Sequence, residues 1–172
     1  MKGQNEKKVF NTTTLLIALC WIVYTCSYLG KLGYNANITQ IENAYSLSHS
    51  TAGMVSTFFF FTYGIGQIIN GIFCKKYNVR LVVFGCLLVS GLMNLLVGFS
   101  NNFAFIKYFW LINGAALSVL WPSLIRLLSE TLDKENIGRA VVVMGTTVAT
   151  GTFFVYGLSA LFVALGVYEI MF

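Results

Sequence analysis

The 172-residue sequence has little charge, a single proline and a single histidine. Only 10% of its residues are charged, against about 25% in ordinary globular domains. Hydrophobic residues make up 57%, and the mean hydropathy is +0.75. A water-soluble domain of this length cannot bury that much apolar surface, so the solvent of this chain is largely lipid. The single proline and the long uninterrupted apolar runs argue for helices and not for a β-barrel, which would show roughly ten-residue segments of alternating polarity. The four cysteines, Cys20, Cys26, Cys74 and Cys86, have no metal-ligand spacing and read as small hydrophobes. His49 has no histidine partner and reads as a solvated loop residue. The sequence contains no Walker loop, no G-x-S-x-G elbow and no dinucleotide fingerprint. It calls for no cofactor and no metal, and it argues against an enzyme or an ATP-driven pump.

What is present is a series of long apolar runs. A spanning helix needs about 20 residues. Five segments qualify, at about 13–36, 52–73, 81–99, 103–128 and 140–167, after a tail at 1–12. The first is a retained span and not a cleaved signal, because no small-residue cleavage site follows it. "LIALC" ending at Cys20 carries bulky Leu19 where a lipoprotein box needs a small residue. The net charge of +5 is spread over the loops and not clustered with aromatics, so it speaks for membrane orientation and against nucleic acid. Lys2, Lys7 and Lys8 precede span one, Lys75, Lys76 and Arg80 follow span two, and Lys134 and Arg139 follow span four. The intervening loops at about 37–51 and 100–102 carry no Lys or Arg. This alternation puts the N-terminus in the cytoplasm. The closing "YEIMF" reads like the start of a sixth helix, so the chain reads as truncated; a complete five-span protein is the alternative. Asn11 and Asn37 both begin glycosylation-type triplets.

One lysine stands out. Lys31 ends a run without charge that begins at Thr13. Tyr24, Tyr28, Lys31 and Asn35 follow one another at i, i+4, i+7 and i+11, on one helix face. Intramembrane cations normally face a bundle interior. Lys31 then serves as an anion-binding residue with aromatic neighbours. The competing reading is snorkelling at the outer interface. From Thr13 to Lys31 is about 27 Å of helix, close to the full hydrocarbon thickness, and counting leaves both readings open.

The other spans also carry polar side chains. In span two, Ser56, Tyr63, Gln67 and Asn70 lie near one face. Tyr63 and Gln67 either line a polar path or join helices; Asn70 reads as interhelical glue, with Gly64, Gly66 and Gly71 allowing close packing. "TFFFF" at 57–61 faces lipid or neighbouring helices. In span four, Pro122 predicts a kink. Asn113 is a lesser binding candidate. Arg126 either snorkels or joins a gate salt bridge, and Lys107 snorkels. In span five, Thr146, Thr147 and Thr150 bond either a ligand or their own backbone carbonyls.

The loop "GIFCKKYNVR" resembles the loop between helices two and three of the major facilitator superfamily: Gly71, Lys76 and Arg80 match, and Lys75 reverses an acidic position. "SYLGK" ending at Lys31 is similar to the first helix of the organophosphate:phosphate antiporter branch, with Lys31 in place of a phosphate-binding arginine. "WPSLIR", residues 121–126, resembles that branch's helix four, and "KENIG" falls at its Glu-Arg-Gly-Gly turn. The branch's helix-five histidine falls at about Thr147. The resemblance implies an all-α membrane fold, with this chain giving five helices of an N-terminal six-helix bundle. It implies a secondary transporter in the plasma (inner) membrane, working with a C-terminal bundle that lies outside this chain. It assigns an anionic small-molecule substrate to Lys31, Tyr28 and Tyr24, with Tyr63, Gln67, Asn113 and Thr147 as further candidates. Gly71, Lys76, Arg80, Arg126 and Arg139 fall to a cytoplasmic gate and loop. Lysine offers a point charge where arginine offers a planar fork, so a carboxylate or sugar acid suits the site as well as a phosphate ester. The alternatives are a drug or neutral-solute exporter of the same fold, or a five-span subunit that does not transport.

Overall fold

The computed structural model describes residues 2–73 and 76–167, with side chains described from Thr12 onward. Cys74, Lys75, the closing "YEIMF" and the side chains of Lys2, Lys7, Lys8 and Asn11 lie outside the described residues. Helices α1 (Lys2–Ala36), α2 (Ile38–Tyr45), α3 (His49–Phe73), α4 (Val79–Gly98), α5 (Phe103–Leu117), α6 (Leu120–Thr131) and α7 (Lys134–Ala164) make up the regular structure. Among the described residues, five stretches are long and apolar enough to cross a membrane: Thr12–Ala36, His49–Phe73, Val79–Gly98, Phe103–Thr131 and Lys134–Ala164.

Local chemistry sets the helix starts. The side chains of Asn78, Asn102 and Asp133 accept from the backbone N–H groups of Arg80, Ala104 and Asn136, satisfying donors that the first helical turn leaves open. Two elements differ from the sequence expectation. The region 37–51 is not all loop, because it contains α2, which ends at Ser46 in the left-handed conformation (φ 51°). Span four is divided at Ser118–Val119. Pro122 accounts for the break, since it has no N–H for the Ser118 carbonyl and its ring crowds that position.

The principal packing pairs are α1 with α7, α3 with α5 and α4 with α5. One core cluster joins Cys20, Tyr24 and Tyr28 of α1 to Leu120, Leu124 and Leu128 of α6 and Met144 and Val155 of α7. The other gathers Tyr34, Ile41, Phe59, Ile106 and Trp110. Within "TFFFF", Phe59 is buried, while Phe58, Phe60 and Phe61 are exposed on the lipid side of the bundle. Cys20 and Cys86 are buried free thiols, in keeping with their reading as small hydrophobes, and Cys26 is an exposed one.

Close backbone approach uses small residues. A Cβ on Gly114 would lie 2.6 Å from Thr62 Oγ1, and the Thr62 hydroxyl donates to the Leu111 carbonyl at 3.0 Å. Gly66 packs on Ser118, and Asn70 Nδ2 donates to Ser118 Oγ at 3.0 Å, so Asn70 is interhelical glue. Gly64 and Gly71 do not share this role, because a Cβ on either would meet nothing within 4 Å.

Candidate substrate site

Lys31 sits inside the bundle. Its residue is 5% exposed, and α1 continues past it to Ala36. Snorkelling is therefore not its conformation. Nζ lies 3.9 Å from the centroid of the Tyr24 ring, 4.7 Å from Tyr28 and 5.3 Å from Tyr63. It has no hydrogen-bond partner among the described residues, and it forms no ion pair with a described carboxylate. The rings form a connected box. Tyr24 and Tyr28 meet edge to face at 5.8 Å, the Tyr24 and Tyr63 hydroxyls lie 3.3 Å apart, and Gln67 Nε2 donates to Tyr63 Oη at 2.8 Å. Trp121 closes another side, its ring 4.8 Å from that of Tyr24.

Helix geometry explains the gathering. Tyr24, Tyr28 and Lys31 share one stripe of α1, and Tyr63 and Gln67 are one turn apart on α3. Tyr28 is seated by Gly151 of α7, where a Cβ would come 2.5 Å from Cγ of the ring.

Other expected members do not join the box. Asn113 Nδ2 donates to the Gly30 carbonyl at 2.7 Å, tying α5 to α1, while its Oδ1 is buried without a partner among the described residues. Thr147 is fully buried and donates to the Met144 carbonyl at 2.5 Å. Thr146 and Thr150 likewise bond carbonyls of their own helix. Asn35 leaves the lysine stripe to accept from the Ser56 hydroxyl, and Asn37 is fully buried at the end of α1. Trp121 was not a sequence candidate. Its adjacency to Pro122, at the break in span four, was the signal available for it.

The loop residues separate into different places. Gly71, Lys76 and Arg80 are exposed at the α3–α4 turn, with Lys76 Nζ 5.2 Å from the Phe73 ring. Arg126 pairs with Glu130 on its own helix at 2.8 Å and donates to the Tyr77 carbonyl at 3.0 Å, so it ties α6 to that turn. Arg139 lies apart, in a groove between α1 and α7. Lys107 is half-buried, with Nζ 5.1 Å from the Tyr108 ring, and His49 contacts Glu42 at 2.7 Å.

Membrane-length helices around a buried lysine in an aromatic box define a polytopic integral membrane protein with an internal polar site. The sequence profile of the Major Facilitator Superfamily matches residues 20–172, and the chain belongs to that family. Among curated relatives, the membrane sensor protein UhpC of Escherichia coli (strain K12) is 28% identical over 72% of this chain and 28% of its own length. A probable hexose phosphate transport protein of Chlamydia muridarum is 30% identical over 50% of this chain and 19% of its own. Glucose-6-phosphate exchanger SLC37A2 of Xenopus laevis is 22% identical over 79% of this chain and 33% of its own. These relatives belong to the organophosphate:phosphate antiporter branch, and the chain spans a third of their length or less. No solved structure gives a significant match.

Proposed function

We propose that this chain is the N-terminal part of a secondary transporter that moves a small organic anion across the plasma membrane by alternating access, with the N-terminus cytoplasmic. In such folds two helical halves rock about a site near the membrane midplane, and the second half would supply the remaining contacts. The observation that carries the reading is Lys31. Burying an ion costs several kcal/mol. Cation–π contacts return about 0.5–2 kcal/mol each. Three ring contacts offset part of that cost and leave the ammonium without a hydrogen-bond acceptor. A phosphate or carboxylate oxygen beside Nζ supplies one. Tyr24, Tyr28, Tyr63 and Trp121 shape the wall, and Gln67 orients the Tyr63 hydroxyl. Names of relatives that include hexose phosphate and glucose-6-phosphate favour a phosphorylated sugar within the anion class.

The test is uptake of glucose 6-phosphate and of inorganic phosphate by the full-length protein in proteoliposomes. Lys31→Ala should abolish uptake, and Lys31→Arg should retain it. Unchanged uptake in Lys31→Ala would overturn the site. Binding without uptake would instead favour a sensor, a second reading supported by the relative named as a membrane sensor protein.

A further inference from the structure

A cavity of about 370 Å³ lies between α1 and α7, near the N-terminal ends of the apolar part of α1 and of α7. Thr13, Ile17 and Trp21 line one wall; Asn136, Arg139 and Val143 line the other. Among the described residues, Arg139 is the one charged side chain lining it, and no carboxylate does. Arg139 makes no ion pair or hydrogen bond with another described residue.

The groove and the lysine box share a wall. Ile17, Trp21, Tyr24, Tyr28 and Lys31 follow one another at alternating steps of four and three residues, one continuous stripe of α1. Trp21 and Lys31 are about 15 Å apart along that helix. On the facing side α7 keeps contact throughout: Trp21 Nε1 donates to Thr146 Oγ1 at 2.9 Å, and Gly151 seats Tyr28. The groove ends at Trp21, and the closely packed α1–α7 seam separates it from the lysine box about 15 Å further along the same stripe. The exposed apolar side chains of α1 that face away, Leu15 and Leu19, belong to other stripes of the helix.

We infer that this groove is a peripheral, cytoplasmic-side docking station for the substrate anion, in which Arg139 captures the phosphate or carboxylate before it reaches Lys31. The inference rests on the reading of Lys31 as the anion site and adds a second, earlier station to it. Arg139 is exposed, so its charge attracts the anion from solution, while the groove walls concentrate its field.

The experiment reads the groove directly. Full-length Ile17→Cys protein is reacted from the cytoplasmic side with an anionic and a cationic methanethiosulfonate reagent, and labelling at position 17 is scored by mass spectrometry, so the native cysteines stay in place. The anionic reagent should react faster, with the preference falling about tenfold in Arg139→Gln, the lower end of what charge focusing in a cleft produces. Glucose 6-phosphate and inorganic phosphate should each slow labelling. That protection should vanish in Arg139→Gln, return in Arg139→Lys and persist in Lys31→Ala. Unchanged reagent preference and unchanged protection in Arg139→Gln would overturn the proposal. So would protection lost in Lys31→Ala and kept in Arg139→Gln, which assigns it to the box. Labelling slowed by phosphatidylglycerol vesicles alone, relative to phosphatidylcholine, would give the groove to a lipid headgroup and also overturn it. Failure of the Lys31 reading shows separately, as unchanged uptake in Lys31→Ala.

Discussion

At the scale of the residue, the candidate site depends on how Tyr28 is held. Its ring sits on Gly151, where a Cβ would lie 2.5 Å from Cγ and 2.7 Å from Cδ2. Tyr28 is itself in contact with Lys31 and Tyr24, so its ring has little room to retreat without opening the box. Gly151→Ala should therefore destabilise by about 1–3 kcal/mol, the usual cost of overpacking. Under the proposed function, glucose 6-phosphate affinity should weaken in the same variant, because Tyr28 must move. Gly157→Ala on the same helix meets nothing within 4 Å and should be neutral or slightly stabilising. Thermal unfolding in detergent and a binding titration measure both; equal behaviour of the two variants would remove Tyr28 from the site. Much of the box was legible in the sequence. The spacing of Tyr24, Tyr28 and Lys31 is a helix face, and Tyr63 and Gln67 repeat the pattern in span two. Trp121 was not legible as a member, because its approach to Tyr24 depends on how α6 packs on α1. That Asn113 and Thr147 bond the Gly30 and Met144 carbonyls was not legible, since a polar side chain in a span reads alike whether it meets a ligand or a carbonyl.

At the scale of the element, the ends and breaks matter more than the spans. The spans follow from hydropathy, and their limits agree with the sequence to within a few residues, apart from an earlier start of α7. The exceptions are places where tertiary contacts decide. Pro122 predicts a kink, but the position of the break follows from the carbonyl four residues before it. Asn37 is the clearest case. By its sequence triplet it resembles a glycosylation acceptor, yet it is fully buried. Its Nδ2 donates to the Gly33 carbonyl at 2.9 Å, and its Oδ1 accepts from Ser159 Oγ at 3.0 Å. Ser159 also donates to the Ala36 carbonyl at 2.9 Å, so this cluster fastens the end of α1 to α7. Asn37→Ala removes two buried hydrogen bonds and should cost about 1–3 kcal/mol. Ser159→Ala should cost less, because its single hydroxyl proton is shared between the Asn37 and Ala36 acceptors and only that one donor is lost. Chemical or thermal unfolding of the two variants orders them. The same burial leaves no path for a glycan, so expression in a glycosylating host should leave Asn37 unmodified; a glycan found there by mass spectrometry would contradict this packing.

At the scale of the whole molecule, the chain is arranged for lipid on the outside. Phe61, Ile68, Ile72, Phe84 and Phe153 are exposed, while Ser27, Lys31, Asn37, Asn113 and Thr147 are buried. In water this distribution is unfavourable; in a bilayer it leaves polar groups to be satisfied between helices. Which end faces the cytoplasm depends on the basic residues of the connections. Among the described connections, Lys76 and Arg80 lie at the α3–α4 turn, and Lys134 and Arg139 lie at the start of α7. The α2–α3 and α4–α5 connections carry no Lys or Arg. Short loops obey this bias because each basic residue resists translocation. Expressed in a bacterium, alkaline phosphatase fused after Ser48 or Ser100 should be active, and fused after Tyr77 or Asp133 it should be inactive. The reverse pattern would place the Arg139 groove on the outer side and would make the proposed docking station an external feature. A fully inactive series would mean that the connections stay inside and that fewer than five helices cross.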